Sequence, residues 1–143
     1  MYDRILIPTD GSPAAEAAIE HAIDIAEKYD ATVHALFVVD GAAYSTLEAG
    51  AEIVMEALES EGKRAVERIA EIADDAGLDC ETSVVSGTAY RSIREYIDDH
   101  DIDLVVMGTH GRRGIDRYLL GSVTERVVRT SDVPVLTVRK PAE

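Results

Sequence analysis

Glycines in the last third of the chain have the types and spacing of an anion-binding turn. Gly108 and Gly111 are separated by two residues, and nine further residues lead to Gly121 and Ser122. The apolar run 102–107 before them predicts a buried strand, and a helix is expected to start at Ser122. Glycine lets backbone approach a ligand closely, and the first N–H groups of a helix have no intrahelical partner. The segment therefore predicts a site for a phosphate group.

Residues beyond other strand ends could complete this site, because ligands of open parallel sheets bind outside the carboxyl ends of the strands. Asp10 could accept hydrogen bonds from ribose hydroxyls, or it could form a turn beside Gly11. Val38 could offer backbone groups to an adenine edge, or it could be an ordinary core valine. The candidate binding residues are Pro8, Thr9, Asp10, Val38, Met107, Gly108, His110, Gly111, Gly121, Ser122, Val123 and Thr124.

Two further features of the glycine segment remain open at this stage. Ser122 and Glu125 match the capping-box pattern, so the Ser122 hydroxyl could cap its helix or donate to a phosphate oxygen. His110, Arg112 and Arg113 could add positive charge to the loop, or they could be ordinary exposed residues.

The candidate binding residues must be positioned by strands and helices. Apolar runs typical of strands alternate with segments of helical periodicity along the whole chain. The predicted strands are 2–8, 32–39, 79–85, 102–107 and 133–138. Helices are expected after the Ser12 cap, over 47–76 with a break allowed near Gly62, from Thr88, and over 122–129. Strands that are apolar throughout and joined by helices predict an α/β fold, a parallel sheet covered on both faces. Pro134 cannot donate a ladder hydrogen bond, so the last strand is expected at an edge.

Composition limits the classes of partner. A length of 143 residues predicts one domain, 1–143. A net charge of −14 argues against nucleic acid and anionic membranes as partners. The single cysteine excludes an intrachain disulfide, and no leader-type apolar segment begins the chain, so a cytoplasmic location is expected. Three lysines against 28 acidic residues favour a halophilic source, although an ordinary acidic protein would also fit.

Motifs for several kinds of catalysis are missing from the sequence. It contains no GxxxxGK[ST], no GxGxxG after the first strand and no GxSxG. The four histidines have no metal-ligand spacing. We assign no catalytic residue, because phosphoryl transfer needs positioned cations and a residue that orients the nucleophile.

Taken together, these segments resemble the universal stress protein family over essentially the whole chain. The resemblance rests on the segments 8–12 and 38–40, on Gly87, on the G-x2-G-x9-G-[ST] pattern and on the closing segment 131–138. It implies a five-stranded parallel sheet in the order 3-2-1-4-5. The glycine pattern is typical of the ATP-binding branch of the family.

The resemblance also implies roles for individual residues. Asp10 would contact the ribose, and Val38 would contact adenine through its backbone. The phosphates would be held by Gly108, Gly111, Gly121 and Ser122, with Val123 and Thr124 nearby. Family members dimerise through the last strand, here Val133 to Val138, which implies a homodimer.

The leading hypothesis is an ATP-binding regulatory or stress-response protein that binds ATP rather than hydrolysing it efficiently. The alternative is a slow ATP hydrolase or a nucleotidyl-transferring enzyme, in which Asp10 could hold Mg²⁺ or Mn²⁺ and His110 could act as an acid. A third possibility is a dimeric interaction module with a vestigial pocket.

Overall fold

The computed structural model of the protein describes residues 1–40, 51–109 and 121–139. The strands are β1 (Arg4–Pro8), β2 (Thr32–Val39), β3 (Cys80–Ser86), β4 (Leu104–Gly108) and β5 (Val135–Val138). The helices are α1 (Pro13–Tyr29), α2 (Ala51–Asp75), α3 (Ala89–Asp99) and α4 (Ser122–Thr130). The predicted alternation of strands and helices is confirmed.

All five strands are parallel, and their order is β3-β2-β1-β4-β5, as the resemblance implied. Pro8 pairs with Leu36 of β2, and Leu6 pairs with Val105 of β4. The strand order therefore reverses between β1 and β4, and a crevice is expected at their carboxyl ends. The expected edge position of β5 is also confirmed.

Two apolar layers cover the sheet, because successive side chains of a strand point to opposite faces. Ile5 and Ile7 of β1 belong to a cluster that includes the buried faces of α1 and α2. Leu6, between them, belongs to a second cluster with residues of α3 and α4. The central strand is thus buried on both faces, which explains its continuous apolar run.

Helix α1 begins as its sequence predicts. The Ser12 hydroxyl accepts a hydrogen bond from the Ala15 N–H at 3.3 Å, and Pro13 is the first helical residue. Its buried face is rich in alanine, and such small side chains let the helix axis approach the sheet closely.

Helix α2 continues through Gly62, so the break allowed there does not occur. A Cβ atom at Gly62 would lie 2.6 Å from Cδ1 of Phe37. The glycine therefore provides room for an aromatic ring of β2 rather than ending the helix. The predicted start of this helix, 47–50, lies outside the described residues.

Several strand limits differ from the prediction by one or two residues. β1 begins at Arg4 rather than Tyr2, β4 at Leu104 rather than Ile102, and β5 at Val135 rather than Val133. Before β5, the Ser131 hydroxyl accepts from the Val133 N–H at 3.1 Å and donates to the Val133 carbonyl at 2.8 Å, which keeps Val133 in a turn. Across the three described ranges, no helix is long and apolar enough to cross a membrane.

Candidate functional site

The turn after β1 is held by its own side chains. Asp10 Oδ1 accepts a hydrogen bond from the Ser12 N–H at 2.9 Å, and the Gly11 N–H donates to Thr9 Oγ1 at 3.1 Å. Gly11 has φ +78°, a conformation that favours glycine. The turn role of Asp10 is therefore present in the structure, and the side chain is half-buried at the carboxyl end of the central strand.

Gly108 ends β4 directly against the first turn of α1. A Cβ atom at Gly108 would lie 2.7 Å from the carbonyl carbon of Ala14 and 2.9 Å from its Cβ. Real Cβ atoms essentially never approach other atoms this closely. Glycine at this position is thus required by the packing of α1 on β4, whether or not a ligand is bound.

The N-terminus of α4 is fixed to the end of β4 by two hydrogen bonds. The Gly121 N–H donates to the Thr109 carbonyl at 2.7 Å. The buried Thr124 hydroxyl donates to the Gly108 carbonyl at 2.8 Å. The first turn of this helix, with its orphan N–H groups, therefore lies beside the end of β4.

Of the two roles left open for Ser122, the capping box with Glu125 is not formed. Gly121 is the N-cap, no side chain caps the helix, and Ser122 is already in its first turn. Glu125 instead forms an ion pair with Arg129 at 2.8 Å. Glycine is an acceptable N-cap, so the helix can begin one residue earlier than the pattern suggested. The exposed Ser122 hydroxyl is consequently not used in capping.

The end of β2 is joined to the start of α3. The Gly87 N–H donates to the Val39 carbonyl at 3.0 Å, and the Ala89 N–H lies 3.4 Å from Asp40 Oδ2, which accepts from it. Val38 is half-buried and packs against the cluster under α3 and α4, as an ordinary core valine would.

The structure brings most of the predicted site residues to one edge of the sheet. Pro8, Thr9 and Asp10 follow β1, with Val38 on one side and Met107 and Gly108 on the other. Gly121, Ser122, Val123 and Thr124 follow at the start of α4. His110 and Gly111 lie outside the described residues.

A cavity of about 230 Å³ opens beside this edge, between α1 and α2. Its lining residues are Thr9, Gly11, Glu16, Ile19, Glu61, Arg64, Ala65 and Arg68. Arg68 Nε lies 2.7 Å from Glu16 Oε1, so two of the charged groups neutralise each other. Among its described lining residues, Thr9 alone belongs to the predicted binding residues. Among the described residues, no three His, Cys, Asp or Glu side chains form a group that could hold a metal ion.

The sheet order, which reverses between β1 and β4, and the helix N-terminus beside the end of β4 define a class: doubly wound α/β proteins, whose ligands generally bind at the switch point. The model of the universal stress protein family matches residues 1–139. The chain therefore belongs to the universal stress protein family, and the resemblance inferred from the sequence is confirmed.

Individual relatives agree with this assignment. Universal stress protein MJ0531 of Methanocaldococcus jannaschii is 41% identical over 143 residues, covering 99% of this chain and 84% of the relative. The solved structure of protein MJ0577 from the same organism has a TM-score of 0.89 at 32% identity, covering 100% of this chain and 99% of that one. A universal stress protein solved in complex with cAMP has a TM-score of 0.69 at 25% identity, covering 98% of both chains.

Proposed function

We propose that this protein binds an adenine nucleotide, ATP in particular, in the crevice between β1 and β4, and that it acts as a nucleotide-dependent regulatory or stress-response protein. The observation that carries the proposal is the start of α4. Its first turn is hydrogen-bonded to the end of β4, and the Ser122 hydroxyl is not engaged as a cap. Orphan N–H groups and a hydroxyl at a strand end favour a phosphate group.

In this proposal, different residues around the crevice contact the phosphates, the ribose and the adenine of the nucleotide. Gly121 and Ser122 hold phosphates through backbone N–H groups and the hydroxyl, with Gly108 and Gly111 completing the turn. Asp10 accepts from the ribose, and the end of β2 at Val38 faces adenine. The relative crystallised with cAMP supports an adenine nucleotide as the ligand class.

We further propose binding rather than efficient hydrolysis. Fast phosphoryl transfer needs cations on the transferred group and a residue that orients the attacking nucleophile. The described part of the crevice supplies backbone amides, a hydroxyl and the Asp10 carboxylate, which already accepts from Ser12. A set of this kind favours holding a phosphate over cleaving it.

Released nucleotide is the first test. The purified protein is denatured and the supernatant is analysed by chromatography, and the apo protein is titrated calorimetrically with ATP, ADP, AMP and cAMP. We expect a bound adenine nucleotide or a measurable ATP affinity. A protein that is isolated without nucleotide and that binds none of the four refutes the proposal. Turnover above ~0.1 s⁻¹ with Mg²⁺ or Mn²⁺ would favour the enzymatic alternative, since enzymes commonly reach 1–10³ s⁻¹.

Substitutions at the two ends of α4 locate the site. Gly121→Val places a branched side chain where the phosphate is expected, so ATP binding should be abolished. Thr130→Val introduces the same side chain at the exposed last residue of the helix and should leave affinity unchanged. Ser122→Ala should weaken ATP binding by about 2- to 12-fold, the value of one ordinary hydrogen bond. Full affinity in a folded Gly121→Val variant would place the phosphates elsewhere.

We also propose a homodimer formed through β5. This strand pairs only with β4 in the chain described here, and Leu136 is 37% exposed on it. An apolar edge strand tends to pair with another strand. Light scattering after size exclusion should give twice the mass of 15.5 kDa. Leu136→Lys should shift the protein toward the monomer, and an unchanged dimer would place the interface elsewhere.

We propose from the net charge that the protein works in concentrated salt, and from the single cysteine that it works in a reducing cytoplasm. A net charge of −14 on 143 residues destabilises the folded state through self-repulsion, which salt screens. The midpoint of thermal unfolding should therefore rise steadily between low and molar KCl. A midpoint that is flat or falls over this range would contradict the proposal.

A further inference from the structure

One aromatic side chain joins the first turn of α3 to the middle of α4. The guanidinium carbon of Arg126, on α4, lies 4.6 Å from the centre of the Tyr90 ring, on α3. Arg91 Nε donates a hydrogen bond to the Tyr90 hydroxyl at 3.2 Å, and this bond lowers the pKa of the phenol below its ordinary value. Both guanidinium groups therefore contact Tyr90, but Arg126 is the nearer to the ring centre, since the Arg91 guanidinium carbon lies 5.8 Å from it.

The Arg126 guanidinium contacts the Tyr90 ring rather than a carboxylate of the described residues. Lys28 and Arg129 each form an ion pair with a carboxylate four residues away in their own helix. Within the described ranges, Arg126 forms none, although the chain carries 28 acidic residues. A guanidinium this close to an aromatic ring is attracted to it, so the contact ties α4 to α3 without a carboxylate partner.

Each helix that the contact joins is also fixed to a different strand end. The start of α3 is hydrogen-bonded to the end of β2, through Gly87 and Ala89. The start of α4 is hydrogen-bonded to the end of β4, through Gly121 and Thr124. Because β1 lies between β2 and β4 in the sheet, the contact between Tyr90 and Arg126 links the two helices that are tied to the strand ends on either side of β1.

The ring also lies over the same apolar layer as the first turn of α4. Tyr90 and Val123 are both half-buried and both pack against the cluster that contains Leu6 and Val127. Removing the ring would therefore take away a lateral support of the turn that carries Ser122. The backbone of that turn would gain freedom, and binding would then carry an added ordering cost.

We infer that Tyr90 and Arg126 are positioning residues that hold the phosphate-binding turn of α4 at a fixed distance from the adenine side of the crevice. This inference rests on the proposed function. Neither residue needs to touch the nucleotide. Their effect should be selective for ligands that use both halves of the site, so ATP should be affected and adenosine should not.

A double-mutant cycle tests the inference. Dissociation constants for ATP and for adenosine are measured for the wild type, Tyr90→Leu, Arg126→Gln and the double variant. Each single variant should weaken ATP binding about two- to fivefold, the range of an exposed cation–π contact, and should change adenosine binding less than twofold. The double variant should be no weaker than the worse single variant, because both changes break one contact.

Conservative variants separate positioning from charge and from folding. Tyr90→Phe keeps the ring under Arg126 and should bind ATP within twofold of the wild type. Arg126→Lys keeps the charge without the planar guanidinium and, being exposed, should fold normally while still losing part of the affinity. Arg94→Gln removes an exposed charge from α3 and should have a smaller effect than Arg126→Gln.

The outcomes are distinguishable from failure of the proposed function. A wild type that binds no nucleotide overturns the proposed function and this inference with it. A wild type that binds ATP normally, with strictly additive losses in the cycle, overturns the inference alone, since Arg126 would then act as a distant charge. Equal losses for ATP and adenosine also overturn it, because the two residues would then support the fold as a whole.

Discussion

Acidification should destabilise this protein through one buried histidine. His34 lies on β2, is 2% exposed, and its Nδ1 atom lies 2.7 Å from the Tyr96 hydroxyl. Burial is the main reason that the pKa of His34 is lowered from its ordinary value of 6.5. The folded state thus holds the neutral imidazole, whereas the unfolded chain takes up a proton near pH 6.5.

The charged groups around His34 do not reverse the lowering of its pKa. Glu81 Oε2, on β3, lies 3.4 Å from His34 Nε2 and raises the pKa, but without hydrogen-bond geometry. His100, at the end of α3, stacks on Tyr96 with ring centres 3.7 Å apart and, with Arg4 at the start of β1, lowers the pKa. The Glu81 carboxylate is largely exposed, so solvent weakens its attraction.

The sign and the slope of the change in folding stability with pH follow from proton linkage. Between the folded and unfolded pKa values the unfolded state binds one more proton, so stability falls as the pH decreases. One proton gives a slope of at most about 1.4 kcal/mol per pH unit. The contribution of His34 is fully present above about pH 6.5 and is lost progressively as the pH falls below that value.

The slope of stability against pH is measured by urea unfolding between pH 8 and pH 5.5, at a constant high salt concentration. The wild type should lose stability below about pH 6.5, and His34→Gln should be less stable at pH 8 but flatter in this range. His21→Gln is the matched control, because His21 is exposed on α1. Identical slopes for the wild type and His34→Gln, or a wild type that gains stability on acidification, would refute the reasoning.

Three further predictions concern single contacts. Gly62→Ala, usually stabilising within a helix, should cost about 1–3 kcal/mol in urea unfolding because its Cβ would meet the Phe37 ring; a gain in stability would contradict this. Thr124→Val should cost about 1–3 kcal/mol by leaving the Gly108 carbonyl unpaired, and an unchanged unfolding midpoint would show that water replaces the hydroxyl. Burial raises the pKa of Cys80 to about 11, so alkylation by iodoacetamide at pH 7.5 should be more than tenfold slower than that of free cysteine and should accelerate up to pH 11. A rate equal to that of free cysteine would contradict the burial of the thiol.

Periodic signals in the sequence predicted the elements well because they depend on local and repeated chemistry. The continuous apolar run of β2 gave both of its limits, Thr32 and Val39. Ser12 followed by Pro13 identified the start of α1, since a cap and a proline act on the adjacent turn alone. The strand order came from the family resemblance, since alternation of strands and helices fixes the layers but not which strands are neighbours.

Contacts between residues that are distant in the sequence could not be predicted from such local patterns. Gly62 has the properties of a helix breaker until the Phe37 ring, from another element, is placed against it. Ser122 and Glu125 match a capping box, yet Gly121 is the N-cap one residue earlier, which glycine tolerates, and Arg129 is available to pair with Glu125. The helical spacing of Tyr90, Ile93 and Ile97 indicates that Tyr90 lies on the apolar face of its helix, but no local pattern indicates that Arg126 of another helix lies over it.

The glycines of the predicted phosphate motif are therefore not equivalent as evidence for a ligand. Gly108 is required by the backbone of Ala14, so its presence would be explained even in a relative that binds nothing. Gly121 has φ −62° and ψ 154°, a conformation open to any residue, and no backbone strain requires glycine there. A loss of ATP binding in a Gly108 variant could arise from disturbed packing against Ala14 or from a lost contact with the ligand, so it would not distinguish the two. A loss at Gly121, whose backbone conformation does not demand glycine, is the more direct test of the ligand when the variant still folds.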